Sequence, residues 1–303
     1  MDWETEKVPA CLVCGHAESE TVFERDLRSV PLRFVRCLKC ALVFQSPRLT
    51  RAAALAYFNS STFFKDSDSN DFAMESPLGY PDYLDWDPSY QSTAALRLER
   101  IAKHCPPPAR LLEIGTATGS FLARAREAGY RVEGLDVSPS LAEMARQRYR
   151  LEIRTGFLEE TALSESHYDV ISVFGGISCW RDPVLCLSRV RKALKPGGFF
   201  VFNCPDLDAI VPRVMGNRYF EFNPASFTIF SRTSLKRCLE TAGFQTLFAE
   251  SERQVASLGR IFTYLKAARL AGWVKHWKLD AFQLPVIVPG TLFEICQPKE
   301  MHA

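Results

Sequence analysis

A chain of 303 residues with 47% hydrophobic and 24% charged side chains is longer than one average domain and can bury a full core. Its 37 basic and 35 acidic residues leave a net charge of +2, which predicts no strong attraction to nucleic acid. The start, Met1 to Ala10, is too acidic and polar for a secretory signal, and no apolar run reaches the roughly 18 residues of a membrane span, so a cytoplasmic location is expected. Of the ten cysteines, four fall in two tight pairs and six are scattered, a usage that fits a reducing compartment with one metal site rather than a disulfide framework.

The first pair is Cys11-Leu12-Val13-Cys14 and the second Cys37-Leu38-Lys39-Cys40. A short turn between two cysteines lets both thiolates face one ion, and two such turns complete a closed tetrahedral shell. Cys11, Cys14, Cys37 and Cys40 are therefore the expected ligands of a structural zinc, with no coordination position left for a substrate. Thr21 to Glu24 and Leu32 to Arg36 read as short strands between the knuckles, giving a zinc-ribbon-like module over residues 1–49. A redox pair would open a helix in a thioredoxin-like unit, and none is visible. His16 is left at the surface, because four thiolates suffice.

Residues 50–105 form a helical and lid segment. Thr50 to Tyr57 reads as an Ala-rich helix, followed by a polar, irregular stretch from Asn59 to Ser76. Gly79 to Trp86 then concentrates aromatics in a loop, which suits a lid over a ligand or docking onto the core. Pro88 to Cys105 is predicted as a helix with Ala95, Leu98, Ile101 and Ala102 on one face, and Pro106-Pro107-Pro108 ends it.

The main domain, 106–303, begins with Leu111-Leu112-Glu113-Ile114-Gly115-Thr116-Ala117-Thr118-Gly119-Ser120, a strand running into a glycine loop and a helix. Gly115, Ala117 and Gly119 depart from the Gly-x-Gly-x-x-Gly fingerprint of a dinucleotide site, and Glu113 before the loop would repel a pyrophosphate. A carboxylate there suits a cationic ligand. The next strand, Tyr130 to Asp136, ends in an acid about 20 residues past the loop, where it can accept both hydroxyls of a ribose. Ser138 caps the following helix with Pro139 at its first position. Further strands are expected at Glu152 to Leu158, at Tyr168 to Phe174, and at Phe199 to Asn203 after the turn Lys195-Pro196-Gly197-Gly198. Rings crowd Pro205 to Phe230 and read equally as acceptor wall or core. Leu235 to Ala242 is a helix, and Phe244 to Ala249 and Thr291 to Cys296 are the last strands. Between them an insert, 254–283, carries a basic helix from Val255 to Lys278, expected to pack on the domain or on a second subunit, which would make a homo-oligomer.

Glu113 with its glycine loop, Asp136, and Leu-Lys-Pro-Gly-Gly before the fifth strand resemble the class I S-adenosylmethionine-dependent methyltransferases. The chain as a whole resembles a bacterial group of them with an N-terminal four-cysteine zinc module, in which Cys-x-x-Cys-Gly is paired with Cys-x-x-Cys-Gly-hydrophobic-Val-Phe. The group also carries Gly-Tyr-x-Asp-Tyr, matched by Gly79, Tyr80, Asp82 and Tyr83. The alternation of elements predicts an α/β fold with a doubly wound, seven-stranded, mainly parallel sheet of Rossmann-like type. The resemblance implies S-adenosylmethionine as cofactor, held by Glu113, Gly115, Thr116, Gly119, Asp136, Val137, Phe157 and Phe174. Phe157 would stack on adenine or, equally, serve the core.

In the second knuckle Ala41 stands where the group has glycine, and three further departures stand out: Ala117 replaces a usual central glycine, Ile177-Ser178-Cys179-Trp180 replaces Leu-Glu-His, and Ser226-Phe227 replaces His-Leu. With two habitual histidines gone, Tyr80, Tyr83, Asp206 and Glu221 are the candidate catalytic residues. The expected activity is in-line methyl transfer to a small-molecule acceptor with an apolar or aromatic part, in specialised metabolism or on a sugar. The rivals are a zinc-bearing S-adenosylmethionine-binding protein without chemistry, and a nucleic-acid methyltransferase gripping through its zinc module.

Overall fold

Apolar residues run without alternation through Leu111-Leu112, Val170-Ile171 and Phe200-Val201-Phe202, and all of them are buried. Strands that are apolar on both faces need both faces covered, as in a parallel sheet with helices above and below. The computed structural model, which describes residues 3–27, 30–59, 87–258 and 282–299, has that architecture. In chain order the N-terminal part holds β1 (Thr5–Glu6), β2 (Ser19–Leu27), β3 (Val30–Cys37), β4 (Val43–Gln45), β5 (Arg48–Leu49) and α1 (Arg51–Phe58). The middle holds α2 (Asp87–Ala102), β6 (Arg110–Ile114), α3 (Ser120–Glu127), β7 (Arg131–Asp136), α4 (Pro139–Tyr149), β8 (Ile153–Thr155), β9 (Tyr168–Val173) and α5 (Pro183–Ala193). The last part holds β10 (Leu194–Pro205), α6 (Ile210–Met215), β11 (Thr228–Ile229), α7 (Arg232–Thr241), β12 (Phe244–Ser257) and β13 (Gln283–Pro298).

Seven strands form one sheet in the order β12-β13-β10-β9-β6-β7-β8. The five from β10 to β8 are parallel, and β13 runs antiparallel to both neighbours. This is the doubly wound, mainly parallel sheet expected from the alternation of elements. Helix starts follow the side-chain chemistry at their caps: the Ser138 hydroxyl accepts the Leu141 N–H, the Asp182 carboxylate accepts the Leu185 N–H, and Ser231 and Ser234 cap α7 reciprocally.

The N-terminal module is not set apart from this domain. Its sheet, β11-β4-β3-β2, takes its fourth strand from Thr228–Ile229, far along the chain. Phe222 stacks on Phe23 at 4.5 Å, and Tyr219, Phe227 and Phe230 are wholly buried. The ring-rich segment is thus largely core, the part that joins module and domain.

The expected basic helix does not begin at Val255. Residues Arg253 to Ser257 instead pair antiparallel with Gln283 to Ile287, and the Val255 N–H donates to the Thr93 hydroxyl at 2.9 Å. A ladder of backbone bonds to a distant partner here outweighs a local helical pattern. Nearly all the remainder of that expected helix, with Trp273 and Trp277, lies outside the described residues, as does the whole of the expected lid with Tyr80 and Tyr83. No described helix is long and apolar enough to cross a membrane.

Candidate active site and metal centre

A cavity of about 270 Å³ opens beyond the carboxyl ends of β6, β7, β8 and β9, where strand order reverses between β6 and β9. Crevices of open α/β sheets form at this switch point because the flanking loops part to opposite faces. Glu113, Gly115, Thr116, Asp136, Val137, Phe157 and Phe174 all line it. Gly115 takes φ +78° with open space where a Cβ would point, so the backbone there is accessible to a ligand. Gly119 lies off the cavity. It begins α3 at φ +82°, and a Cβ would meet Leu151 at 2.8 Å and Ala145 at 2.9 Å, so its service is close packing.

Glu113 is 3% exposed, and its Oε2 has no hydrogen-bond partner. Burial holds its carboxyl well above the usual range, an effect opposed by Arg97 and reinforced by Asp136. Asp136 accepts the Ala117 N–H on Oδ2 and the Ser138 N–H on Oδ1, both at 2.8 Å, while burial pushes its pKa up to about 6. Arg97, on α2, also faces the cavity. Its Nε and Nη2 reach Glu252 Oε1 at 2.9 and 2.8 Å, and its guanidinium lies 4.0 Å from the Phe174 ring centre. Asn203 Oδ1 accepts the Gly175 N–H at 2.6 Å and fixes the turn after β9.

Residues 89–247, more than half of the chain, match the family model described as a methyltransferase domain. The chain belongs to this methyltransferase family. A Mycolicibacterium smegmatis protein named "Probable S-adenosylmethionine-dependent methyltransferase" is 30% identical over 148 residues, covering 48% of this chain and 56% of that one. The demethylmenaquinone methyltransferase of Chlorobaculum parvum is 31% identical over 91 residues, 29% of this chain and 38% of its own. The malonyl-[acyl-carrier protein] O-methyltransferase of Serratia marcescens is 30% identical over 123 residues, 38% and 48%. The chain thus spans about half or less of the length of these relatives. The PH0226 protein of Pyrococcus horikoshii OT3 shares the fold, with a TM-score of 0.51 at 16% identity over 72% of this chain and 96% of that chain.

S-adenosylmethionine is the methyl donor the family implies, and the cavity's donor set fits it. The ligand carries an ammonium, a carboxylate and a ribose diol. Glu113, with its buried unsatisfied oxygen, suits the ammonium, Arg97 the carboxylate, and Asp136 the diol. Arg97 was not legible in the sequence, since it sits outside the apolar face of α2 and its partner lies 155 positions away.

The other acidic candidates lie behind the wall. Asp206 is 1% exposed, bonded to Arg232 Nε at 2.8 Å, and does not line the cavity. Glu221 is buried off the cavity, with Oε2 accepting the Ser226 hydroxyl at 2.9 Å, and burial lifts its pKa to about 7. Cys179 and Trp180, where the resemblance expects Leu-Glu-His, do face the cavity.

The Sγ atoms of Cys11, Cys14, Cys37 and Cys40 lie within 4.8 Å of one another, the one such group among the described residues. A tetrahedral ion with sulfur at roughly 2.3 Å needs sulfurs a little under 4 Å apart. Cys11 to Cys40 is 3.4 Å and Cys14 to Cys37 is 3.5 Å, so the set fits a four-thiolate metal site. Each knuckle closes through a backbone bond, Gly15 N–H to Cys11 O at 2.9 Å and Ala41 N–H to Cys37 O at 3.0 Å. His16 stays outside the group, beside Glu18.

Proposed function

We infer that the chain transfers a methyl group from S-adenosylmethionine to a small-molecule acceptor with an apolar or aromatic part, and that its four-cysteine shell holds a structural zinc. One observation carries the cofactor reading. Glu113, Arg97 and Asp136 converge on a cavity at the sheet's switch point, each matched to a different polar group of that molecule. The cofactor supplies a methyl group on a positively charged sulfur, which departs as a neutral thioether after in-line displacement. The protein's own part is then alignment, worth several kcal/mol by orientation alone. Phe157, Phe174 and Trp180 exclude water and flank the cofactor, and Glu113 and Arg97 fix one of its ends.

The acceptor reading draws on the rings at the cavity and on relatives whose names specify demethylmenaquinone and malonyl-[acyl-carrier protein]. Paired knuckles before the domain support membership of the bacterial group with the four-cysteine module, and ten unpaired cysteines support a reducing, cytoplasmic setting. Tyr80, Tyr83, Asp206 and Glu221 are kept as candidates for any proton transfer; of the described pair, Glu221 acts electrostatically on Cys179 of the cavity wall.

Titration of the zinc-loaded chain with S-adenosylmethionine and S-adenosylhomocysteine by calorimetry tests this. Binding near micromolar is expected for the wild type. Asp136→Ala should weaken it by at least about tenfold, the cost of roughly one charge-assisted hydrogen bond. Unchanged affinity in this variant sinks the pocket assignment. Tight cofactor binding with no turnover across an acceptor screen would favour the non-catalytic reading.

A further inference from the structure

The cavity has a wall that does not come from the methyltransferase domain. Phe58, the last residue of α1, lines it and is itself 4% exposed. The next residue, Asn59, accepts the Ser138 hydroxyl on its Oδ1 at 3.0 Å, and the Ser138 N–H in turn donates to Asp136. At the other end of the helix, the Arg51 guanidinium lies 5.3 Å from the Phe157 ring centre and pairs with Glu160. Helix α1 therefore touches both of the residues assigned to the adenosine half, Phe157 directly and Asp136 through Ser138.

The same helix is built on the cysteine module. Ala54, Tyr57 and Phe58 pack in one buried cluster with Phe34, Val43 and Leu49. Phe34 lies three residues before Cys37, and Val43 three residues after Cys40. β1, on the chain leading to Cys11, pairs with β5 immediately before α1, and Glu4 O accepts the Thr50 N–H at 2.9 Å. Both chain segments that support α1 thus converge on the metal shell.

We propose that α1 is the outer wall of the cofactor's adenosine half, and that an ion in the four-cysteine shell and the cofactor bind cooperatively through it although the two sites share no residue. The proposal rests on the cofactor reading given above. Ordering of the module by its ion presets α1, and a cofactor seated against Phe58 holds the module in place. Such a coupling is reciprocal: whatever factor the ion adds to cofactor affinity, the cofactor adds to ion affinity.

The test uses the full zinc-loaded chain with S-adenosylhomocysteine as ligand. Saturating ligand should slow zinc transfer to a chromogenic chelator severalfold in the wild type. Phe58→Ala should bind the ligand about tenfold more weakly and lose the slowing, while retaining one zinc per chain. Because Phe58 also packs on Phe227, Asn59→Ala serves as a second variant. It removes an exposed side chain's bonds to Ser138 and to the Leu55 carbonyl at the end of α1, and should shift affinity the same way by a smaller factor. Wild-type affinity in both variants overturns the wall, and zinc release indifferent to ligand overturns the coupling. A wild type that binds no ligand overturns the cofactor reading beneath both.

Discussion

Two alanines hold backbone conformations that favour glycine. Ala41 has φ +59° and Ala117 φ +45°, and each stands where the methyltransferase resemblance has glycine. A Cβ in the left-handed region crowds the following carbonyl and costs roughly 1–2 kcal/mol. Neither residue is free to relax, because Ala41 N–H closes the second knuckle on Cys37 O and Ala117 N–H donates to Asp136. Glycine at either position relieves the strain but frees the unfolded chain, which takes back about 0.4–1 kcal/mol. Ala41→Gly and Ala117→Gly should each stabilise the chain by about 0.5 kcal/mol, read as a higher urea midpoint at unchanged slope. A lower midpoint in both would show that neighbouring contacts of the methyl groups outweigh the strain.

At the scale of elements, α2 and β12 are locked by the buried pair of Arg97 and Glu252, with Glu252 wholly inaccessible and Arg97 12% exposed at its side chain. Removing one member leaves the other charge unpaired in a low-dielectric setting, at about 3–5 kcal/mol, whereas an apolar pair of similar volume is close to neutral. Glu252→Ala should therefore destabilise strongly. Arg97→Met combined with Glu252→Leu should restore most of the stability, yet still bind S-adenosylhomocysteine poorly, since no cation would face the carboxylate. Full affinity in the double variant would remove Arg97 from the site. The pair also marks where the sequence stops being legible. Strand ends, glycine loops and helix caps are local, so β6 with its loop, Asp136 on β7 and the Ser138 cap could all be read from neighbouring residues. Arg97 and Glu252 acquire meaning only when the sheet brings α2 beside β12. The lengthening of β12 and β13 through Val255 and Leu284 has the same origin, because each strand's partner lies beyond any local window. Gly115 and Gly119 look alike in sequence, and only the packing of α4 against α3 separates the open one from the filled one.

For the whole molecule, the division into a four-cysteine module and a domain describes the sequence better than the mechanics. β11 from the domain completes the module's sheet, and Cys11, Cys37 and Cys40 belong to one buried cluster with Trp180, Leu235 and Cys238 beneath the large sheet. Opening the module would expose Phe222, Phe227 and Ile229, so neither part keeps its core without the other. A structural four-thiolate zinc stabilises small domains by about 10 kcal/mol or more, and a lost thiolate forfeits a sizeable share of that. Cys37→Ser should therefore lower zinc content and shift unfolding of the entire chain, not of a detached module. A loss of about 2–3 kcal/mol corresponds to a fall of about 3–5 °C in a chain this size. Calorimetry should show one transition at the lower temperature, with fluorescence of the buried Trp180 moving in step. A separate early transition, with the main one unmoved, would mean that the strand and core shared between the parts carry little cohesion, and that the metal stabilises its own knuckles alone.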